Sequence, residues 1–167
     1  MPSNFEILRL SNSDWRTYKS LRIAALRDSP DAFGSTLASA LTVSDADWEK
    51  RISTASSVLD LPLFARVQGK GVGLAWGAMI EDDITTAHLF QMWVALEARG
   101  AGIGAALVAK TIEWARQNHA KRMMLSVTAA DTPAWRMYLS AGFQAFGDLE
   151  PLRPDSDILV QPMRLEL

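Results

Sequence analysis

Seven consecutive residues, Arg99-Gly100-Ala101-Gly102-Ile103-Gly104-Ala105, have the composition of an anion seat. Three glycines within five positions leave backbone N–H groups uncovered by side chains. The stretch follows an apolar run, Leu89 to Leu96, and opens a helical pattern that continues to about His119. A helix N-terminus presents about four unpaired N–H groups and a partial positive charge. Together these favour a phosphate or pyrophosphate, and Arg99 adds a full positive charge at the rim. The competing reading is a strand-to-helix turn that uses glycine only for tight packing.

Three ligand classes use such a turn. A Walker-type loop ends in Gly-Lys-Ser/Thr, whereas this one ends Gly104-Ala105-Ala106, with no lysine or hydroxyl for a γ-phosphate and magnesium. The dinucleotide fingerprint is formally met by Gly100, Gly102 and Ala105, but it also needs an acidic residue about 20 positions on. No Asp or Glu occurs from Trp114 to Ala130. Composition removes further classes. The chain has no cysteine, which excludes disulfides, thiolate metal sites and a cysteine nucleophile. Its two histidines, His88 and His119, lie far apart, against a histidine-based metal site. A formal net charge of −2 provides no basic field for nucleic acid. There is no run of 18 or more apolar residues and no basic-then-apolar leader, so a cytoplasmic protein without membrane partners is expected. The 167 residues, 49% of them apolar and 22% charged, suit one globular domain spanning 1–167.

The elements that position the turn are legible from periodicity and punctuation. Phe5 to Leu10 alternates like a strand. Ser11 and Asp14 form a capping box that starts a helix carrying Trp15, Tyr18, Leu21 and Leu26, which stops before Pro30. Asp28 to Gly34 is a connector rich in turn formers. Ser44 to Asp47 caps a second helix running to about Thr54. Strands follow at Leu61 to Val67, Val72 to Ile80 and Thr85 to Val94, joined by tight turns and hence antiparallel. Gly73 and Gly77 inside the second of these predict bulges or close backbone approach. The end of Thr85 to Val94 is mostly apolar, which predicts a central strand buried on both faces. After the glycine-rich turn, Ile103, Leu107, Val108, Ile112 and Ala115 keep helical spacing. Met123 to Val127 is a further strand. Thr132 is an N-cap with Pro133 at the first helical position, and Gly142 ends that helix. Phe143 to Leu149 and Ile158 to Leu165 complete the chain as strands. The helix crossover implies one parallel strand pair. The expected fold class is therefore α/β in the α+β sense: a mixed, mostly antiparallel sheet with helices on both faces.

Two motifs now meet. Arg99-x-x-Gly102-x-Gly104 after a strand resembles the pyrophosphate-binding signature of the GNAT superfamily of acetyl-CoA-dependent N-acetyltransferases. Asp131-x-x-Ala134-x-x-Met137-Tyr138-x-x-x-Gly142-Phe143 resembles that family's Asn-x-x-Ala-x-x-Leu-Tyr-x-x-x-Gly-Phe. The two lie in the family's order, with one helix and one strand between. Leu21-Arg22-x-Ala24-Ala25-Leu26 through Pro30-x-Ala32-Phe33 also resembles one bacterial branch, without fixing a substrate. The resemblance implies a GNAT-like fold in which the strand before the turn bends at a bulge and splays from the next, parallel strand. It implies that the pantetheine arm of acetyl-CoA pairs with the backbone of Met92, Trp93 and Val94. The diphosphate is then held from Arg99 through Gly100, Ala101, Gly102, Ile103, Gly104 and Ala105. Asp131 stands where the family has an asparagine that contacts the cofactor arm, exchanging an amide donor for a charge; capping the helix is its other reading. Tyr138 matches the family's tyrosine near the thioester sulfur, where a phenol suits a thiolate leaving group; packing on its helix is the alternative.

The base is not assigned by the sequence. An alkylamine with a pKa near 10.4 must lose a proton before attack, yet Thr85 to Val94 has no carboxylate and Met123 to Val127 offers only Ser126. His88, Glu81, Asp82 and Asp83 remain. The resemblance also implies that the acceptor lies against the first helices and their connector, near Asp28, Asp31 and Phe33, which suit an amine by charge and cation–π contact or else form a capped turn anchored by Phe33. Two functions follow: acetyl transfer to a primary amine by direct attack in a ternary complex, or a non-catalytic acyl-CoA-binding sensor or scaffold. A homodimer is expected from the family's habit and from Ile158 to Leu165 as an edge strand.

Overall fold

The computed structural model describes residues 4–55 and 57–167. Eight strands form one sheet: β1 (Glu6–Arg9), β2 (Asp60–Val67), β3 (Lys70–Ile80), β4 (Asp83–Val94), β5 (Arg122–Thr128), β6 (Gln144–Ala145), β7 (Glu150–Pro151) and β8 (Leu159–Glu166). The order is β1-β2-β3-β4-β5-β8-β6, with β7 also paired to β8. Every pair is antiparallel except β4 with β5. The helices are α1 (Trp15–Asp28), α2 (Leu37–Ala40), α3 (Asp45–Ser53), α4 (Ile103–Gln117) and α5 (Pro133–Ser140).

The caps expected from the sequence are in place. The Ser11 N–H donates to Asp14 Oδ2 at 2.7 Å, Ser44 Oγ accepts from the Asp47 N–H, and Thr132 Oγ1 accepts from the Trp135 N–H. Each satisfies an N–H that the helix itself leaves open. Gly142 ends α5 at φ +99. The four-residue α2 was not expected; Thr36 caps it through the Ser39 N–H.

The two faces of the sheet are read from neighbouring residues of β3, because successive side chains point to opposite faces. A Cβ on Gly77 would come within 2.9 Å of Thr111 Cγ2 and Trp114 Cζ3, so that face carries α4. Trp76, on the other face, meets Tyr18 of α1 at a ring-centroid distance of 5.5 Å. Tyr18 in turn meets Trp48 of α3 edge-on at 5.6 Å. Helices therefore cover both faces, and three aromatic rings fix α1 and α3 to the sheet.

Three expectations are corrected. Phe143 to Leu149 is not one strand: only Gln144 and Ala145 pair, and Gly147 at φ +84 turns the chain away before β7. Pro162 of β8 accepts from the Phe146 N–H, so its missing N–H would have faced the same way, and the ladder loses a rung there. The segment Ile158 to Leu165 is not an edge either. Its strand, β8, pairs β5 on one side and β6 and β7 on the other, so the edge argument for a homodimer has no strand to rest on. The central place of β4 is borne out, but burial on both faces is not: Phe90 is 51% exposed.

Gly77→Ala tests the α4 interface. The added methyl meets a rigid threonine and a tryptophan ring inside a packed core, so unfolding in denaturant should show stability reduced by about 1–3 kcal/mol, with an unchanged slope.

Candidate active site

β4 and β5 run together only briefly. Thr86, Ala87 and His88 pair with Arg122, Met123 and Met124, and beyond His88 the two strands separate. The cause lies in β4. Leu74 faces Trp93 while Trp76 faces Phe90, so β4 carries one residue more than β3 over this interval. That extra residue is a β-bulge, which bends the strand that holds it. Gln91 takes the strain with φ +56, and its Oε1 accepts a hydrogen bond from the Tyr18 hydroxyl at 2.9 Å. Helix α1 therefore pins the bend. Beyond that ladder the edges of β4 and β5 that face the gap have no partner strand among the described residues, leaving backbone N–H and C=O groups to a ligand.

The gap opens into a cleft of about 1360 Å³. At one end lies the glycine-rich turn. Gly100 and Gly102 sit at φ +82 and +84, where an L side chain is strained. Gly102 is the N-cap of α4 and has no side chain to offer, so the first-turn N–H groups stay open. A Cβ on Gly104 would come 2.8 Å from Met137 Sδ and 3.4 Å from Met92 Cε. Glycine there lets α4, α5 and β4 converge. The open N–H groups, the helix dipole and the unpaired strand edge together fit a diphosphate with an extended amide arm.

Met92, Trp93, Val94, Arg99, Gly100, Gly102, Ile103, Gly104, Ala105 and Tyr138 all line this one cleft. Two expected residues do not. Ala101 lies outside the lining, and so does Asp131. Asp131 is 79% exposed at its side chain and pairs with Arg136 at 2.7 Å, while Thr132 caps α5. Arg99 also does more than face an anion: its Nε donates to Val94 O at 2.9 Å and its Nη2 pairs with Asp28 Oδ2 at 2.6 Å. The Trp93 indole N–H and the Ser29 hydroxyl donate to the same oxygen, at 3.0 and 2.7 Å. The Trp93 bond above all, with Ser29 and Arg99, holds the Asp28 carboxyl below the usual carboxylate range. Asp28 is thus a clamp between α1, β4 and the turn.

The connector after α1 is tied down by groups the sequence did not disclose. Thr128 Oγ1 of β5 donates to Asp31 O at 2.8 Å, and Arg153 Nη2 donates to Pro30 O and Phe33 O. No periodicity or motif marks either residue. Phe33 is buried, with the Arg22 guanidinium 4.8 Å from its ring centroid, so that ring's cation is supplied by this chain.

Tyr138 is buried on α5, edge-on to Phe143 at 5.9 Å. Burial pushes its phenol well above its ordinary value, so it stays protonated at any working pH. Among the four base candidates, His88 alone lines the cleft; Glu81, Asp82 and Asp83 lie where β3 turns into β4. His88 stacks on Phe90 at 5.7 Å, and burial lowers its pKa below the ordinary 6.5, with Asp83 opposing weakly. Its imidazole is therefore neutral at pH 7. Among the described residues no cluster of acids and histidines is arranged to hold a metal, and no helix is long and apolar enough to cross a membrane.

Residues 21–143, more than half of the chain, match the Acetyltransferase (GNAT) family. The chain belongs to that family. Among solved structures, spermidine N-acetyltransferase from Vibrio cholerae, in complex with CoA and spermine, shares the fold at a TM-score of 0.78. It is 18% identical, covering 98% of this chain and 96% of that one. The yncA protein of Salmonella typhimurium, solved with its cofactor acetyl-CoA, gives a TM-score of 0.80 at 16% identity, over 98% and 94% of the two chains. In sequence, N-acetylaspartate synthetase of Danio rerio is 37% identical over 86 residues, which are 52% of this chain and 30% of that protein. The match thus spans less than a third of that relative.

Gly102→Glu sets a carboxylate where the diphosphate would lie, on a residue held at φ +84. Calorimetry should show CoA affinity falling by more than about tenfold, the scale of one lost charge-assisted contact, while Gly69→Glu, at an equally open glycine of the β2–β3 turn, should leave CoA affinity unchanged.

Proposed function

We propose that the protein transfers the acetyl group of acetyl-CoA to a primary amine by direct attack in a ternary complex, with Tyr138 as proton donor and His88 as proton acceptor. The observation that carries this is their common position. One cleft, between the splayed ends of β4 and β5, is lined by the glycine-rich turn, Tyr138 and His88 together. Similarity to a spermidine N-acetyltransferase and to N-acetylaspartate synthetases supports nitrogen as the acceptor atom.

Acetyl-CoA supplies an acyl carbon with a thiolate leaving group. The backbone of Met92 to Val94, of Gly100 and of Gly102 to Ala105 binds and orients it. As the amine nitrogen bonds to the acyl carbon, the C–S bond breaks, and Tyr138 gives its phenolic proton to the departing sulfur. The hydroxyl has no hydrogen-bond partner among the described residues, so it is free to turn toward that sulfur. His88, neutral at working pH, takes the proton the amine loses, directly or through one water. An amine that arrives as ammonium first gives one proton to water, and return of the second from His88 to Tyr138 closes the balance: one proton ends on the thiol and one in solvent.

Tyr138→Phe keeps the ring and removes the donor. A thiol-release assay should show kcat and kcat/KM falling together by roughly 10²–10⁴ with CoA affinity kept. Unchanged turnover would make Tyr138 a packing residue.

The pH profile tests His88. Burial lowers its pKa, so the neutral base persists to a lower pH than a free imidazole would. The acidic limb of kcat should therefore lie below pH 6.5, and His88→Gln should abolish that limb along with most of the rate. A limb that persists unchanged in the variant would assign the base elsewhere.

A further inference from the structure

Four buried side-chain nitrogens have no hydrogen-bond partner among the described residues: Arg22 Nη1, Trp48 Nε1, Trp114 Nε1 and Arg122 Nε. Of these residues only Arg22 lines the cleft. It is 6% exposed and its guanidinium makes no hydrogen bond or ion pair to any described residue. Its neighbours do not neutralise it. Phe33 offers a ring face, Tyr18 a phenol that burial keeps protonated, and Arg51 a second positive charge. The acids on the cleft lining are Asp28, Asp31 and Glu150, and none pairs with it; Asp28 Oδ2 already holds Arg99 and Trp93. An arginine cannot shed its proton in a protein, and a buried charge without a counter-charge is costly. The fold has built a cation that no described residue answers.

Its place says what answers it. Arg22 lies one turn along α1 from Tyr18, which pins the bulge at Gln91. Helix α1 covers the face of the sheet opposite α4, so Arg22 and the diphosphate seat at the start of α4 belong to opposite faces. Ala78 stands opposite His88 across the β3–β4 ladder, and Trp76 opposite Phe90, which sets His88 on the α1 face too. The anion is thus on the acceptor's side of the gap, with the proton acceptor.

We infer that the acceptor is an amine that carries a carboxylate, an amino-acid-type substrate, and that Arg22 is the receptor for that carboxylate. The inference rests on the acetyl-transfer reading of the same cleft. One guanidinium matches one carboxylate in charge and in planar, two-pronged geometry. A phosphate dianion would replace a buried positive charge with a buried negative one, and a neutral acyl carbonyl would leave the cation unanswered.

The test compares each of a panel of amino acids with its own amide and its decarboxylated amine, as acceptors in the thiol-release assay. The unaltered protein should favour at least one free carboxylate by roughly 10–100-fold in kcat/KM, the range for a hydrogen bond to a charged group. Arg22→Met, similar in length and uncharged, should collapse that preference while melting no lower than the parent. Amides and simple amines used as well as the acids, or a preference that survives in Arg22→Met, would overturn the inference. An arginine that only polarised the acyl carbonyl would give the second result, because all acceptors would slow alike. If no amine is turned over, the acetyl-transfer reading fails by itself. The same compounds are then titrated by calorimetry into CoA-loaded protein. Binding that needs both the carboxylate and Arg22 sustains the receptor, and binding that needs neither, or no binding, overturns it.

Discussion

The extra residue in β4 is the constraint on which the rest of this structure depends. A regular β4 would continue its parallel ladder with β5 to the end, and the sheet would close with no space between the strands. The bulge at Gln91 ends that ladder after His88 and opens a wedge whose walls are strand edges with no partner strand among the described residues. A non-glycine residue at φ +56 is held there only because its surroundings over-determine it. The Tyr18 hydroxyl fixes its amide from one side, and the antiparallel ladder with β3 fixes its flanks.

Around that wedge the helices divide the chemistry. Helix α4 begins where β4 ends, so its open N–H groups lie at the mouth of the gap, and Gly104 lets Met137 and Met92 approach. Helix α5 brings Tyr138 in from the β5 side. Helix α1 brings Tyr18 and Arg22 from the opposite face. The Asp28 carboxylate joins these parts, since Trp93, Arg99 and Ser29 all donate to one of its oxygens. A site assembled from so many elements needs such ties, because a shift of about 1 Å is enough to spoil catalytic geometry.

The electrostatics of the cleft follow from burial more than from charge pairs. Burial keeps the Tyr138 phenol protonated and the His88 imidazole neutral, which gives a donor and an acceptor of protons at the same pH. The charged groups are unequal in their surroundings. Asp28 is answered three times over, Asp131 is answered in solvent by Arg136, and Arg22 is answered by no described residue. That inequality distinguishes a structural carboxylate from a ligand-seeking guanidinium.

The sequence by itself determined the local structure and the glycine-rich end of the cleft. Helix starts at Ser11, Ser44 and Thr132, the stop at Gly142 and the glycine-rich turn are all set by contacts within a few residues, so their signals are local and readable. Alternation and tight turns likewise settled the antiparallel order of β2, β3 and β4. Tertiary structure alone decided the rest. Nothing near Gln91 announces a left-handed residue, because its partner, Tyr18, lies 73 positions away. Asp28 reads as part of a capped turn until Trp93 and Arg99, more than 60 positions on, converge on it. Strand β8 reads as an edge until β6 and β7 return to pair with it, and Asp131 fits a family position until it points to solvent. Arg22 reads as one more polar residue of an amphipathic helix. Burial without a counter-charge is a property of its whole surroundings, and no window of sequence contains it.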